Sequence, residues 1–210
     1  MELRARVVEG VPGGALTLFE LADVDAALDD AIRTGGRAPY GGVLWDAAPC
    51  LAAVLLRRDL AGRRVVELGC GLGLVALACA RAGAQVLATD VDETALQATR
   101  RAAAHAGLSI ATGMFDVTAA APLPKADVVV AADLLYEPAL AAALARRARE
   151  GLAAGACVVI GDPGRVGRAA FAAALGAHAR FEPVVVGEHT AEVLVLEPGA
   201  EQGTERRRCR

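Results

Sequence analysis

The sequence predicts a doubly wound α/β fold built on a mostly parallel, seven-stranded sheet. Three observations predict it. From residue 64 onward, short apolar runs alternate with helical stretches. The run Val65–Leu68 leads straight into three alternate glycines, Gly69, Gly71 and Gly73, and then into an apolar helix. A second run, Gln85–Thr89, delivers Asp90, 21 positions after Gly69. Strand, glycine turn, helix and acid-tipped strand together make a nucleotide-binding βαβ unit, so the sheet is expected to be Rossmann-like.

Each element follows in turn. Residues 1–42 read as a short N-terminal extension, with strand-like pieces at Arg4–Val8 and Ala15–Phe19 around the turn Val11–Gly14, and a helix over Asp23–Ile32. Gly35–Gly42 is a flexible connector. Asp46 is placed to cap a helix running from Ala47 to about Arg58, with Pro49 tolerated in its first turn. Strand 64–68 then leads to helix 72–82, closed by Gly83, and strand 85–89 to helix 93–106, capped by Asp92 and ended by Gly107. A third strand is expected at Leu108–Thr112, a fourth at Asp127–Ala132 before helix 138–150, and a fifth at Ala156–Ile160 before helix 167–178. The last two strands, Phe181–Val186 and Glu192–Leu196, are joined too closely for a parallel crossover, so they form an antiparallel hairpin. Apolar strands alternating with helices imply a parallel sheet covered on both faces.

Composition narrows the function classes. The chain has 210 residues, 55% hydrophobic, with a mean hydropathy of +0.40. That length suits one domain, expected over 1–197, with 198–210 a disordered, arginine-rich tail. No apolar run reaches the ~18 residues a membrane span needs, and Met1–Arg6 has no apolar leader, so a cytoplasmic protein without a membrane partner is expected. The five cysteines include no C-x-x-C pair and no histidine at metal-ligand spacing, so buried thiols and no metal are expected. The net charge of −3 gives no electrostatic argument for a nucleic-acid partner. A monomer is expected.

The glycine turn selects among nucleotides. A dinucleotide fingerprint is G-x-G-x-x-G, because pyrophosphate sits on the helix N-terminus. Here Leu74 stands where the third glycine would fall, and Glu67 lies at the mouth of the turn. Its carboxylate would repel a pyrophosphate but accept hydrogen bonds from an ammonium group. The fitting ligand is a nucleoside with an amino-acid arm, and S-adenosylmethionine answers that description. Glu67, Gly69, Cys70, Gly71 and Gly73 would hold its amino-acid end, and Asp90 with Val91 its ribose.

In open α/β sheets ligands bind beyond the carboxyl ends of the strands. Asp116, after the third strand, can accept from the adenine amino group while Phe115 packs on the base; otherwise Asp116 caps the turn before Thr118. Asp133 and Tyr136 follow the fourth strand, beside Ala132, which would border the cofactor. Asp162 ends the fifth. Sulfonium is a good leaving group, so methyl transfer to an amine needs no protein nucleophile. A carboxylate holding the amine in line, between Tyr136 and Trp45, would align it. Aromatic walls favour the neutral amine and Asp133 opposes that shift, so Asp133 is assigned to positioning rather than to base catalysis. Trp45 would close over the cofactor.

These segments resemble the seven-β-strand protein-lysine methyltransferases. Gly42–Ala48 is similar to their pre-motif, Glu67–Gly73 to their first motif, and Asp133-Leu134-Leu135-Tyr136 to the D-x-x-Y signature that in that family binds the target lysine. Ile160–Arg165 is similar to a segment of the branch that methylates the β subunit of electron-transfer flavoprotein. The resemblance implies a class I S-adenosylmethionine-dependent enzyme, yielding S-adenosylhomocysteine, with a lysine-bearing protein substrate and Asp133 and Tyr136 as catalytic residues. A small-molecule amine of the nicotinamide type is the alternative acceptor. An NAD-dependent oxidoreductase and a non-catalytic cofactor-binding module are the readings from other classes.

Overall fold

A computed structural model describes residues 2–176 and 180–199. The chain opens with β1 (Leu3–Val8) and β2 (Leu16–Leu21), an antiparallel hairpin, followed by α1 (Val24–Thr34). Asp23 caps α1 through the Ala26 amide, and Gly35 ends it in the left-handed region. After a short 3₁₀ turn at Tyr40–Gly42 come α2 (Ala47–Leu55), β3 (Arg64–Leu68), α3 (Leu74–Arg81), β4 (Gln85–Asp90), α4 (Glu93–Ala106) and β5 (Ala111–Met114). Then follow β6 (Val128–Ala132), α5 (Pro138–Ala153), β7 (Cys157–Asp162), α6 (Arg168–Leu175), β8 (Phe181–Val186) and β9 (His189–Leu196).

The second sheet has seven strands in the order β5-β4-β3-β6-β7-β9-β8. The first five are parallel, and β9 and β8 close the edge antiparallel. Alternate residues of each strand feed opposite faces. Val65, Val86, Val128, Val130 and Val159 pack with Leu51 and Leu55 of α2, Val75 and Cys79 of α3, and Leu96 of α4. Val66, Val129, Ala131, Val158 and Ile160 pack with Leu144, Ala145 and Ala148 of α5 and Phe171 of α6. Leu16 and Leu18 of the hairpin cover α3 and α4 at Leu77, Ala98 and Ala102. Arg81 ties the hairpin down, donating to the carbonyls of Gly14 and Ala15.

Several boundaries differ from expectation for local reasons. Gly73 has φ +81 and precedes α3 as its N-cap, so the helix begins at Leu74 rather than at residue 72. The end of α4 uses Gly107 at φ +67, and the Leu108 amide bonds back to Ala103, so the third strand of this sheet starts at Ala111 instead of Leu108. Asp46 does not cap α2: its backbone is helical and its side chain makes no capping bond. Helix α2 also ends earlier, at Leu55, and β9 begins earlier, at His189. The end of the expected helix 167–178 and the tail from residue 200 lie outside the described residues.

The strand order reverses between β3 and β6, and it is here that an open sheet leaves a crevice beyond its carboxyl ends. The only positive φ outside glycine among the described residues is Asp133, at 59°, directly after β6 at this crevice.

Candidate active site

The glycine turn serves packing and backbone conformation. Gly69, Gly71 and Gly73 have φ of +67, +50 and +81, which an L side chain rarely adopts. A Cβ at Gly69 would also lie 2.7 Å from Leu134 Cδ2, and one at Gly73 2.6 Å from Thr99 Oγ1. At Gly71 it would face the Gly41 carbonyl of the 3₁₀ turn at 3.4 Å. The turn's amides are engaged within the protein: Cys70 donates to the Thr89 carbonyl, Gly71 to Asp90 Oδ2, and Gly73 to the Cys70 carbonyl. These three amides therefore serve the turn itself. Cys70 is buried with its thiol 3.5 Å from Thr99 Oγ1.

Glu67, near the end of β3, is 1% exposed, and its Oε2 is buried without a hydrogen-bond partner. Burial pushes its carboxyl well above the ordinary range; the amide of Ala76 in the first turn of α3 opposes that and Asp90 adds to it. Asp90 is nearly buried and is also raised by burial, against the pull of three backbone amides. Its Oδ1 accepts from Val91 and Asp92, and its Oδ2 from Gly71. A carboxylate oxygen accepts two bonds, so Oδ2 keeps one lone-pair direction. Beyond β5, Asp116 Oδ1 takes the amide and hydroxyl of Thr118, which hold the carboxyl below its usual range. Val91 and Met114 are exposed on this rim, 37% and 60%.

Phe115 is partly buried, and the Arg147 guanidinium lies 5.0 Å over its ring. Arg147 is only 1% exposed and donates to the carbonyls of Val117 and Ala119, while Arg146 reaches the carbonyls of Val117, Thr118 and Ala119. Two arginines of α5 thus clamp the segment that carries Phe115 and Asp116. Sequence reasoning missed both, since nothing local marks an arginine that satisfies carbonyls some thirty residues away.

On the other side of β3, Asp133 follows Ala132 at the end of β6. Its Oδ2 accepts the Ala47 amide at 2.9 Å, so it, rather than Asp46, caps α2. Asp46 instead meets His189 Nδ1 at 2.9 Å. Asp133 Oδ1 takes Nε and Nη2 of Arg165 at 2.8 and 2.7 Å. Burial raises the Asp133 carboxyl, and the Ala47 amide and Arg165 oppose the rise. Tyr136 is partly exposed and raised by burial and by nearby acidic charge. Its ring is 6.0 Å from Tyr40, which in turn is 6.2 Å from Trp45, both edge-on. Trp45 Nε1 donates to the Tyr40 carbonyl, and Arg165 lies 5.2 Å over the Trp45 ring. Tyr40 and Arg165 join the expected Trp45, Asp133 and Tyr136; Tyr40 lies in the Gly35–Gly42 stretch that reads as a connector.

Asp162, fully buried at the end of β7, accepts from the amides of Gly164 and Arg165 and from Arg168. It therefore shapes the loop that carries Arg165. A separate depression of about 430 Å³, bordered by Arg64, Gln85, Ser109 and Lys125, lies at the amino ends of the strands, away from the carboxylates.

This sheet order, with its antiparallel closing hairpin, is the class I methyltransferase fold. Residues 65–155 match the family model described as a methyltransferase domain. The chain is 34% identical over 131 residues to the electron transfer flavoprotein beta subunit lysine methyltransferase of Danio rerio, covering 60% of this chain and 51% of that protein. It is 41% identical over 75 residues to the ribosomal protein L11 methyltransferase of Azotobacter vinelandii, covering 35% of this chain and 26% of that one. The Thermus thermophilus 16S rRNA N2 G1207 methyltransferase RsmC, solved with AdoMet and guanosine, superimposes with a TM-score of 0.65 at 22% identity, over 94% of this chain and 51% of that one. The chain thus spans about half, or less, of the length of these curated relatives.

Proposed function

We propose that this chain is an S-adenosylmethionine-dependent N-methyltransferase that methylates a lysine side chain of a protein. The observation that carries the reading is the buried, partnerless Oε2 of Glu67 at the same sheet edge as Asp133. A carboxylate so enclosed asks for a cation or a donor, and the ammonium of an amino-acid arm supplies one. A pyrophosphate at the same place would meet Glu67 and Asp90 as like charges, which weighs against NAD.

When bound, S-adenosylmethionine supplies a methyl group made electrophilic by its sulfonium. The chain's residues would do the rest by binding and alignment. Glu67 would take the ammonium, with the backbone of residues 69–73 shaping the floor. Asp90 would accept a ribose hydroxyl on its remaining Oδ2 direction, next to Val91. Asp116 would accept from the adenine amine, with Phe115 bordering the base. Asp133 would orient the acceptor nitrogen beside Ala132, and Tyr136, Tyr40 and Trp45 would exclude water from it. The lysine acceptor is supported by the D-x-x-Y segment Asp133–Tyr136 and by the similarity to the Danio rerio lysine methyltransferase.

Two measurements test the reading. Calorimetry should detect binding of S-adenosylhomocysteine and none of NAD; binding of NAD alone overturns it. A cell lysate incubated with enzyme and methyl-labelled cofactor should yield labelled methyl-lysine after acid hydrolysis. Label confined to small molecules would instead favour the small-amine acceptor.

A further inference from the structure

Asp133 already holds a cation. Arg165 donates twice to Oδ1 and the Ala47 amide bonds to Oδ2, so an acceptor ammonium would meet a carboxylate already paired with a guanidinium. Lysine is protonated at neutral pH, its ordinary pKa being ~10.4. Two cations on one nearly buried carboxylate would leave a positive charge without a counter-ion, a costly arrangement out of water.

Arg165 cannot leave with its loop. Asp162 accepts its backbone amide, the Arg168 amide bonds to its carbonyl, and the Gly167 amide is fastened to the Leu135 carbonyl. Only the side chain is free to swing. That side chain is 33% exposed and lies over Trp45, which keeps it at the mouth of the site. Three carboxylates nearby are engaged: Asp162 and Glu192 with Arg168, and Asp46 with His189.

We propose that Arg165 is a specificity-determining residue: displaced from Asp133 by the acceptor amine, it pairs with a carboxylate that the acceptor carries beside that amine. The proposal rests on the amine-methyltransferase reading and narrows its substrate class to lysines flanked by acidic residues. The exchange keeps both charges paired, Asp133 with the ammonium and Arg165 with the incoming carboxylate.

The test uses two acetylated, amidated peptides, Ala-Glu-Lys-Glu-Ala and Ala-Gln-Lys-Gln-Ala, titrated into protein saturated with S-adenosylhomocysteine. The wild type should bind the glutamate peptide about fivefold more tightly, the size an ion pair to a partly exposed guanidinium supplies. Arg165→Gln should erase the preference while leaving S-adenosylhomocysteine affinity unchanged, and Arg165→Lys should restore part of it. A wild type with no preference, or binding neither peptide, overturns the proposal, as does a preference that survives Arg165→Gln. Transfer from labelled S-adenosylmethionine is read in parallel. If the glutamate peptide is preferred through Arg165 yet neither peptide is methylated, the Arg165 assignment stands and the lysine-methylation reading falls.

Discussion

The Asp133 carboxylate accepts a 2.9 Å hydrogen bond from the amide of Ala47, 86 residues earlier in the chain. One side chain thus caps α2 and stands at the crevice where the proposed acceptor would sit. The N-terminus of α2 and Arg165 oppose the burial that pushes its carboxyl up.

That double duty separates two substitutions. Asp133→Asn keeps an oxygen for the Ala47 amide and tolerates the left-handed backbone. It should fold with little loss of stability, bind S-adenosylhomocysteine within about twofold of wild type, and lose at least ~100-fold in transfer rate, since alignment carries the reaction. Asp133→Ala should lose transfer equally and also a cap worth ~1 kcal/mol, lowering Tm by several degrees. Thermal unfolding beside labelled transfer reads both; an Asn variant at full speed removes Asp133 from the acceptor site.

Glu67 sets binding against stability. Its carboxyl is raised well above the unfolded value of about 4.3. Between the unfolded and folded pKa the native state keeps a proton that the unfolded chain releases, so ligand-free stability falls as pH rises through that window. Glu67→Gln carries no such penalty and should raise the Tm of the ligand-free protein at neutral pH, while weakening S-adenosylhomocysteine binding at least tenfold by calorimetry.

The same shift makes cofactor affinity pH-dependent. An ammonium pairs with ionised Glu67, so affinity should fall as pH drops through the raised pKa of the free protein. Below pH ~7.5 the ligand's own amine stays protonated and does not confuse the sign. Isothermal titrations across this range should show the fall in wild type and a flat profile in Glu67→Gln; equal slopes would separate Glu67 from the ammonium.

Arg147 lies far from the acceptor but holds the Phe115–Ala119 segment. Arg147→Ala removes a buried guanidinium from the face of Phe115 and from two carbonyls that then keep only Arg146 as donor, a loss of about 1–3 kcal/mol in all. Tm should drop, and adenosine-containing ligands should bind at least fivefold more weakly. Arg146→Ala, on a more exposed side chain, should do less. Unchanged S-adenosylhomocysteine affinity in a folded Arg147→Ala protein would leave that clamp a purely structural role.

Much of this molecule was legible in its sequence. The alternation of apolar runs with helices, the closing hairpin and the residues at the strand ends follow from period, turn chemistry and chain length between strands. The starts of α3 and β5 moved where a glycine took positive φ, at Gly73 and Gly107, while α2 kept its expected start at Ala47 although its cap comes from Asp133 rather than Asp46. The packing demand on the three glycines, which admit Leu134, Thr99 and Gly41 at close range, came only with the packed chain.

By itself the sequence determined the sheet, its order of elements and the acidic residues at its carboxyl edge, because these depend on patterns local to each segment. The tertiary structure alone decided which carboxylate stands unpartnered and which is already paired. Glu67 is left without a donor for Oε2, while Asp133 is held by Ala47 and Arg165 and Phe115 by Arg147. Those relationships join residues thirty or more positions apart, or depend on enclosure from several elements at once, and only the packed chain brings them within hydrogen-bond reach.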